Sequence, residues 1–276
     1  MPPTFSSVPV VLTIAGSDCC GGAGIQADLK VFTALQVHGL TAVTCVVSEV
    51  PGQVSLIHPV PPAVVADQIR LLLETYPVAA VKTGMLYSEE IIELTAVALE
   101  AIPPSRRPYL VVDPVMVASS GDSLITQAAV AAYQKRLFGL ATVITPNLDE
   151  GSVLLGRPLR DLADLGPAAA ELYARHGAAV LLKGGHLATA EATDILHDRA
   201  GALALSAPFI RGAASHGTGC TYASAIAAHL ARGLNLRASC RAAKRYIGLA
   251  IKDSLGWGQG TSQVLALRQW KHRGPR

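Results

Sequence analysis

The sequence predicts an α/β domain in which helices cover both faces of a doubly wound, mainly parallel sheet, three layers in all. Three observations lead there. Half of the 276 residues are apolar and only 16% are charged, a composition that suits a sheet buried on both sides. Short β-rich apolar runs alternate with longer helical patterns, as βαβ units with right-handed crossovers do. Polar or Gly-rich stretches recur at successive strand ends, where open α/β sheets bind their ligands.

The predicted strands are Val8–Ala15, Leu40–Val47, Val78–Lys82, Tyr109–Asp113, Thr142–Thr145 and Ala179–Lys183. Helical patterns fall between them at Ile25–Leu35, Pro62–Tyr76, Ser88–Ala101, Thr126–Leu137 and Leu162–His176. Thr193–His197 and Gly201–Ser206 read as an antiparallel edge hairpin. Two helices follow, Gly219–Arg232 and Leu236–Leu255, and the segment after Gly256 reads as a loose tail. No repeat or linker divides the chain, so a single domain over 1–276 is expected, ordered from about 8 to 255.

The net charge of +3 and the lack of a Lys/Arg stripe argue against a nucleic-acid partner. Met1 to Ser7 has no basic leader region. Gly212 to Ala231 carries no formal charge and is about as long as a membrane span. It is dominated by small residues and holds Ser215, His216, Thr218, Thr221, Ser224 and His229, so a buried helix is expected and no membrane. The five cysteines are Cys19, Cys20, Cys45, Cys220 and Cys240. Odd in number and without a CxxC pair, they suggest neither a disulfide framework nor a zinc site, and a reducing cytoplasm fits.

Two Gly-rich motifs stand out. Ala15 to Asp28 contains Gly22-Ala-Gly-Ile-Gln-Ala27, which fits the GxGxxG/A dinucleotide pattern. The spacing is wrong for that use, because Gly16 to Gly21 separate Gly22 from the predicted strand end. A loop that packs strand on helix is one alternative. A loop bringing Asp18, Ala23 and Asp28 to a small-molecule site is the preferred one. The second motif, His216-Gly-Thr-Gly-Cys-Thr221, precedes an Ala-rich helix. Backbone N–H groups and a helix N-terminus converge there into an anion hole for a phosphoryl group. Cys220 would lie in the first turn, where the dipole lowers a thiol's pKa and suits it to accept a proton; an inert buried thiol is the alternative.

Asn147 and Glu150, in Thr145-Pro-Asn-Leu-Asp-Glu150, share a face at a helix start and could direct Mg²⁺ or water toward phosphates. A plain helix cap explains them nearly as well. Lys183-Gly-Gly-His186 adds a cation beside closely approachable backbone. No Walker A pattern is present.

Taken together, TIAGSD, GGAGIQADLK, KTGML, DPVM, ITPNLDE, KGGH and HGTGCT occur in the order found in hydroxymethylpyrimidine and phosphomethylpyrimidine kinases. The chain resembles that family over roughly residues 8 to 255. The resemblance implies a three-layer ribokinase-like fold, usually a homodimer, that uses ATP and Mg²⁺ to phosphorylate 4-amino-5-hydroxymethyl-2-methylpyrimidine and then its monophosphate. It implies that Ala23, Met85 and Val115 line the pyrimidine pocket and that Gly217, Thr218 and Gly219 form the anion hole. Cys220 would be the base, Lys183 would steady the transferring phosphate, and Asp113 and Glu150 would organise Mg²⁺. Two departures stand out. Family members typically place a Gln against the pyrimidine amino group and ring nitrogen, where this chain, aligned without gaps from Thr44, has Glu49. Cys19-Cys20 replaces the usual Pro-Ser. A pyridoxal or pyridoxine kinase on the same scaffold is the same-class rival; a catalytically silent nucleotide- or vitamin-binding protein is the rival from another class.

Overall fold

Side chains alternate along the central strands between two apolar clusters. Leu12 and Ile14, Val81, Leu110 and Val112, Ile144, Val180 and Leu182 enter one cluster. Val11, Ala80, Val111, Val143, Ala179 and Leu181 enter the other. A sheet buried on both faces produces this period-two division. The computed structural model describes residues 8–116, 126–185, 191–258 and 263–270.

Among the described residues nine strands form one sheet in the order β3-β2-β1-β4-β5-β6-β7-β8-β9. β1 (Val10–Asp18) pairs in parallel with β2 (His38–Val50) and β4 (Val78–Thr83). The parallel run continues through β5 (Tyr109–Val112) and β6 (Val143–Ile144) to β7 (Ala179–Lys183). Both edges are antiparallel: β3 (Gln53–Pro59) on β2, and the hairpin β8 (Glu191–Asp198) and β9 (Gly201–Pro208) on β7. The ribokinase-like three-layer α/β architecture implied by the motifs is the one formed.

One face carries α2 (Pro62–Thr75), α3 (Glu89–Glu100), α4 (Gln127–Ala132), α5 (Leu148–Leu155) and α6 (Leu162–His176). α4 runs on through a π turn over Tyr133–Leu137 and a 3₁₀ turn over Phe138–Leu140. The other face carries α1 (Gly24–Ala34), α7 (Thr218–Ala231) and α8 (Leu236–Lys252). α7 is buried from Thr221 to Leu230, which is why its sequence has no polar stripe. No helix among the described residues is long and apolar enough to cross a membrane.

Three differences from the expected elements matter for the site. β1 runs three residues further, to Asp18, past a register shift between Ala15 and Ser17. The β2–β3 turn, not expected, projects beyond the sheet beside that end. The segment after Gly256 is not a loose tail where it is described. β10 (Leu255–Trp257) pairs with β11 (Val264–Ala266), and Leu267 and Gln269 are buried. Gln269 Nε2 donates to the Gly22 carbonyl (2.8 Å) and to Thr221 Oγ1 (2.9 Å), while Tyr246 donates its hydroxyl to the Gln269 carbonyl.

Candidate active site

The carboxyl ends of the parallel strands open into a cavity of about 580 Å³, well within the range of small-molecule sites. Asp18, Ala23, Glu49, Met85, Asp113, Val115, Asn147, Glu150, Lys183, Gly217, Thr218, Gly219 and Cys220 all line it. Thirteen candidate residues from seven segments of chain therefore meet around one space. His186 lies outside the described residues.

The polar end is built on β5, β6 and β7. Lys183 Nζ donates to Asp113 Oδ1 (2.9 Å), and Thr145 Oγ1 donates to the same oxygen (2.9 Å). Burial opposes the charge on Lys183, but Asp113 and Glu150 outweigh it and hold the ammonium protonated. Asn147 caps α5, with Oδ1 accepting from the Glu150 N–H (2.9 Å) and Glu150 Oε2 accepting from the Asn147 N–H (2.8 Å). The helix-cap alternative is thus realised, with both residues still on the cavity wall. Burial raises the Glu150 carboxyl above the ordinary range; Lys183 acts against that and Asp113 adds to it.

Opposite lies the start of α7. Gly217, the N-cap, has φ +80°, and a side chain there would strike the Gly22 carbonyl, so this junction of two Gly-rich loops needs glycine. At Gly219 an added Cβ would come 3.2 Å from Lys183 Nζ and 3.5 Å from Asp113 Oδ2. The first turn of α7 therefore faces the Lys183–Asp113 pair across the space that the missing side chain of Gly219 leaves open, and the helix N-terminus with the Lys183 ammonium makes a place suited to phosphate.

Cys220 departs from expectation. Burial pushes its thiol up to about 11, with Lys82 pulling down and Asp28 and Asp113 pushing up. A helix N-terminus is worth up to about 2 kcal/mol in a favourable partly buried geometry, and at this half-buried thiol desolvation, aided by Asp28 and Asp113, exceeds it. The lowered pKa expected of this position is not what the environment gives.

Asp28 is corrected too. It does not line the cavity but is fully buried beneath it. Its carboxylate binds Lys82 Nζ (3.0 and 2.9 Å), Thr13 Oγ1 (2.6 Å) and Ser224 Oγ (2.5 Å). That network ties α1, β1, β4 and α7 together below the two Gly-rich loops. Asp18 lines the cavity with its oxygens engaged: Oδ1 accepts from the Cys20 N–H, Oδ2 from the N–H groups of Gly22 and Ala23, and His216 Nε2 lies 2.9 Å from Oδ2. Burial raises this carboxyl, but the hydrogen bonds from His216, Ala23 and Cys20 win and hold it well below the usual range.

Lys82 and His216 stand in the KTGML and HGTGCT motifs but had no expected role of their own, and Gln269 falls in the expected tail. Lys82 had a visible signal, since a Lys inside an apolar central strand must find a buried partner. Gln269 had none.

A cavity across six strand ends, with a helix N-terminus facing a buried Lys–carboxylate group, defines an α/β enzyme that handles phosphate esters. Comparison with known proteins narrows the class. The family described as phosphomethylpyrimidine kinase matches residues 18–265. The chain is 46% identical over 267 residues to the thiamine biosynthesis bifunctional protein of Geobacter sulfurreducens, of which it spans 54%. It is 43% identical over 256 residues to the hydroxymethylpyrimidine/phosphomethylpyrimidine kinase of Synechococcus elongatus, of which it spans 95%. Among solved structures, pyridoxal kinase from Staphylococcus aureus in complex with AMP-PCP and pyridoxal superposes with a TM-score of 0.85 at 34% identity, covering 96% of this chain and 94% of that one. The chain belongs to the phosphomethylpyrimidine kinase family.

Proposed function

We propose that the chain transfers the terminal phosphoryl group of ATP to the hydroxymethyl group of 4-amino-5-hydroxymethyl-2-methylpyrimidine, and then to the phosphate of the product, in thiamine biosynthesis. The observation that carries this reading is that the Lys183–Asp113 pair faces the first turn of α7 with only the bare backbone of Gly219 between them. A cation and the N–H groups of a helix N-terminus at one point are what a transferring phosphoryl group needs, and the carboxylate serves to hold that cation and a metal ion.

In each step a bond forms between the acceptor oxygen and the γ-phosphorus as the bond to the β–γ bridging oxygen breaks, and ADP leaves with that electron pair. Lys183 and the N–H groups of Gly217 and Gly219, joined by that of Thr218 when it leaves the Ser215 carbonyl (3.3 Å), hold the equatorial oxygens, whose charge rises in a loose transition state. Asn147 and Gly219 border the nucleotide. In the first step the hydroxyl proton passes to Cys220 Sγ in its thiolate form. The second acceptor is already anionic and needs no base. Ala23, Met85 and Val115 enclose the pyrimidine ring, with Glu49 at its polar edge.

Asp113 and Glu150 fit Mg²⁺. Both are buried carboxylates on the cavity wall beside Lys183, and oxygen donors of this kind, few in number, are the usual Mg²⁺ set. Bound there, the ion neutralises phosphate charge. The chain acts in the cytoplasm as a homodimer on this reading. Exposed Leu56 on edge strand β3 and Val64 and Leu71 on α2 offer apolar surface for a second copy.

ADP release measured with the pyrimidine alcohol, its monophosphate, pyridoxal and pyridoxine side by side tests the substrate. Turnover of the first two supports the reading. Turnover confined to the pyridoxal pair would replace it with the vitamin B6 kinase reading, which the likeness to the Staphylococcus aureus enzyme favours. No turnover with any acceptor would leave a binding protein.

A further inference from the structure

Cys20 sits where the kinase chemistry has no use for it. Its Sγ lies 3.3 Å from Asp18 Oδ2, and His216 Nε2 lies 2.9 Å from the same oxygen. The three donor atoms are all within 4.8 Å of one another. A hydrogen-bonded loop accounts for His216 and for the three N–H groups on Asp18. It does not account for the thiol, a weak donor set against a carboxylate whose oxygens already have stronger ones.

We propose that Asp18, Cys20 and His216 form a coordination site for a borderline-soft divalent cation of the zinc class at the mouth of the active site. Thiolate, imidazole and carboxylate are the zinc donor set. With bond lengths of about 2.0–2.3 Å, a tetrahedral site has donor–donor edges of roughly 3.3–3.6 Å. The Cys20–Asp18 edge is already close to that, and the Asp18–His216 edge must open by a few tenths of an ångström. The Gly22 and Ala23 N–H groups on Asp18 Oδ2 supply the outer hydrogen bonds that orient a ligating carboxylate.

The site is open on both sides. His216 lines the main cavity and also a second one of about 150 Å³ under the β10–β11 hairpin, which Cys20 lines as well. A cation can enter from solvent, and three protein ligands leave the fourth position for water or an anion. On binding, the thiol proton and the proton between His216 and Asp18 pass to solvent and the cation takes their place. Sulfur ligation excludes Mg²⁺, so this site and the Asp113–Glu150 carboxylates select different ions. An ion here ties the loop from Asp18 to Ala23 to the residue just before Gly217, the N-cap of the anion hole. Because Asp18 and His216 also line the main cavity, the ion and whatever takes its fourth position obstruct that wall and inhibit phosphoryl transfer.

The test uses the whole chain with excess Mg²⁺. Zn²⁺ is titrated by calorimetry, and Co²⁺ serves as a spectroscopic probe through its thiolate-to-metal charge-transfer band. One ion per chain, a cobalt–thiolate band and at least a tenfold fall in turnover at saturation are expected. Cys20→Ser should abolish the band, relieve the inhibition and weaken Zn²⁺ binding by no less than the roughly 10–100-fold that losing even an outer-shell partner costs. Turnover without Zn²⁺ should stay as it was, and Cys19→Ser should leave ion binding intact. A band and an affinity that survive Cys20→Ser, loss of the band in Cys19→Ser, or its absence from the unaltered chain would each overturn the site. Ion binding that leaves turnover unchanged would overturn the inhibitory role. Calorimetry and the cobalt band do not depend on the acceptor, so failure of the pyrimidine reading is seen separately.

Discussion

Lys82 and Asp28 form an ion pair with neither side chain exposed, Nζ 2.9 Å from Oδ2, directly below the two Gly-rich loops. Removing one partner leaves an uncompensated buried charge, which costs about 3–5 kcal/mol. Asp28→Ala and Lys82→Met should each lower the denaturant midpoint accordingly, with little change in m. Asp28→Leu combined with Lys82→Met should recover most of that loss, because well-packed apolar residues often replace a buried pair at no net cost. A double variant as unstable as the sum of the singles would mean that Thr13 and Ser224, not the charge pair, set the stability.

Cys220 is a thiol at rest. From a pKa of about 11, the thiolate share at pH 7 is about one in 10⁴. If the thiolate takes the hydroxyl proton, single-turnover phosphorylation of the alcohol should climb roughly tenfold per pH unit through the neutral range. Phosphorylation of the monophosphate should not. Cys220→Ala should flatten the first profile and slow that step by about 10²–10⁴-fold at high pH. Parallel losses in both steps would assign Cys220 a packing role.

Lys183→Ala should reduce turnover far more than it reduces affinity for either substrate. On the proposed mechanism its charge, held 2.9 Å from Asp113, acts most strongly as negative charge shifts in the transition state. A rise in KM at constant kcat would instead make it a ground-state binding residue.

Glu49 lines the cavity, and burial followed by the charge of Asp18 raises its pKa, with His216 working the other way. A raised pKa means that protonation sets in at higher pH than for an ordinary Glu. Only the protonated acid can donate to a pyrimidine ring nitrogen. Affinity for the alcohol should therefore tighten as pH falls from 8 toward 6. Glu49→Gln should flatten that dependence and bind more tightly at pH 8, since an ionised carboxylate against the ring nitrogen costs about 1–3 kcal/mol. Calorimetry on both proteins across that range decides; matching pH-independent affinities would remove Glu49 from the ring edge.

Periodicity made the parallel strands legible because both faces are buried and each run is almost wholly apolar. β3 escaped because its residues are mostly exposed and its brief alternation, Gln53-Val-Ser-Leu56, breaks at Ile57. β10 and β11 are three residues each, too short to leave a period. At the site, the strand-end motifs brought their residues to one cavity, since strand ends are fixed by the fold. What local spacing could not give is partnership over distance. Asp28 meets Lys82 across 54 positions and so lies under the site and not in it. The acidity of Cys220 failed for a related reason: the helix start is local, whereas burial depends on everything packed around it.

The junction of the Gly-rich loops has a consequence for biosynthesis. The loop around Asp18 and Gly22 is made early, yet it is held by His216, 198 positions later, and by Gln269, 247 positions after Gly22. Closing loops of that length is entropically costly and slow, and contacts between distant residues form late in folding. During synthesis, until α7 and α8 emerge, one face of the sheet is uncovered but for α1 and the ligand cavity lacks both its α7 wall and its support under Gly22. A nascent chain should therefore gain protease resistance and nucleotide binding together and late, both complete only once residue 269 has left the ribosome.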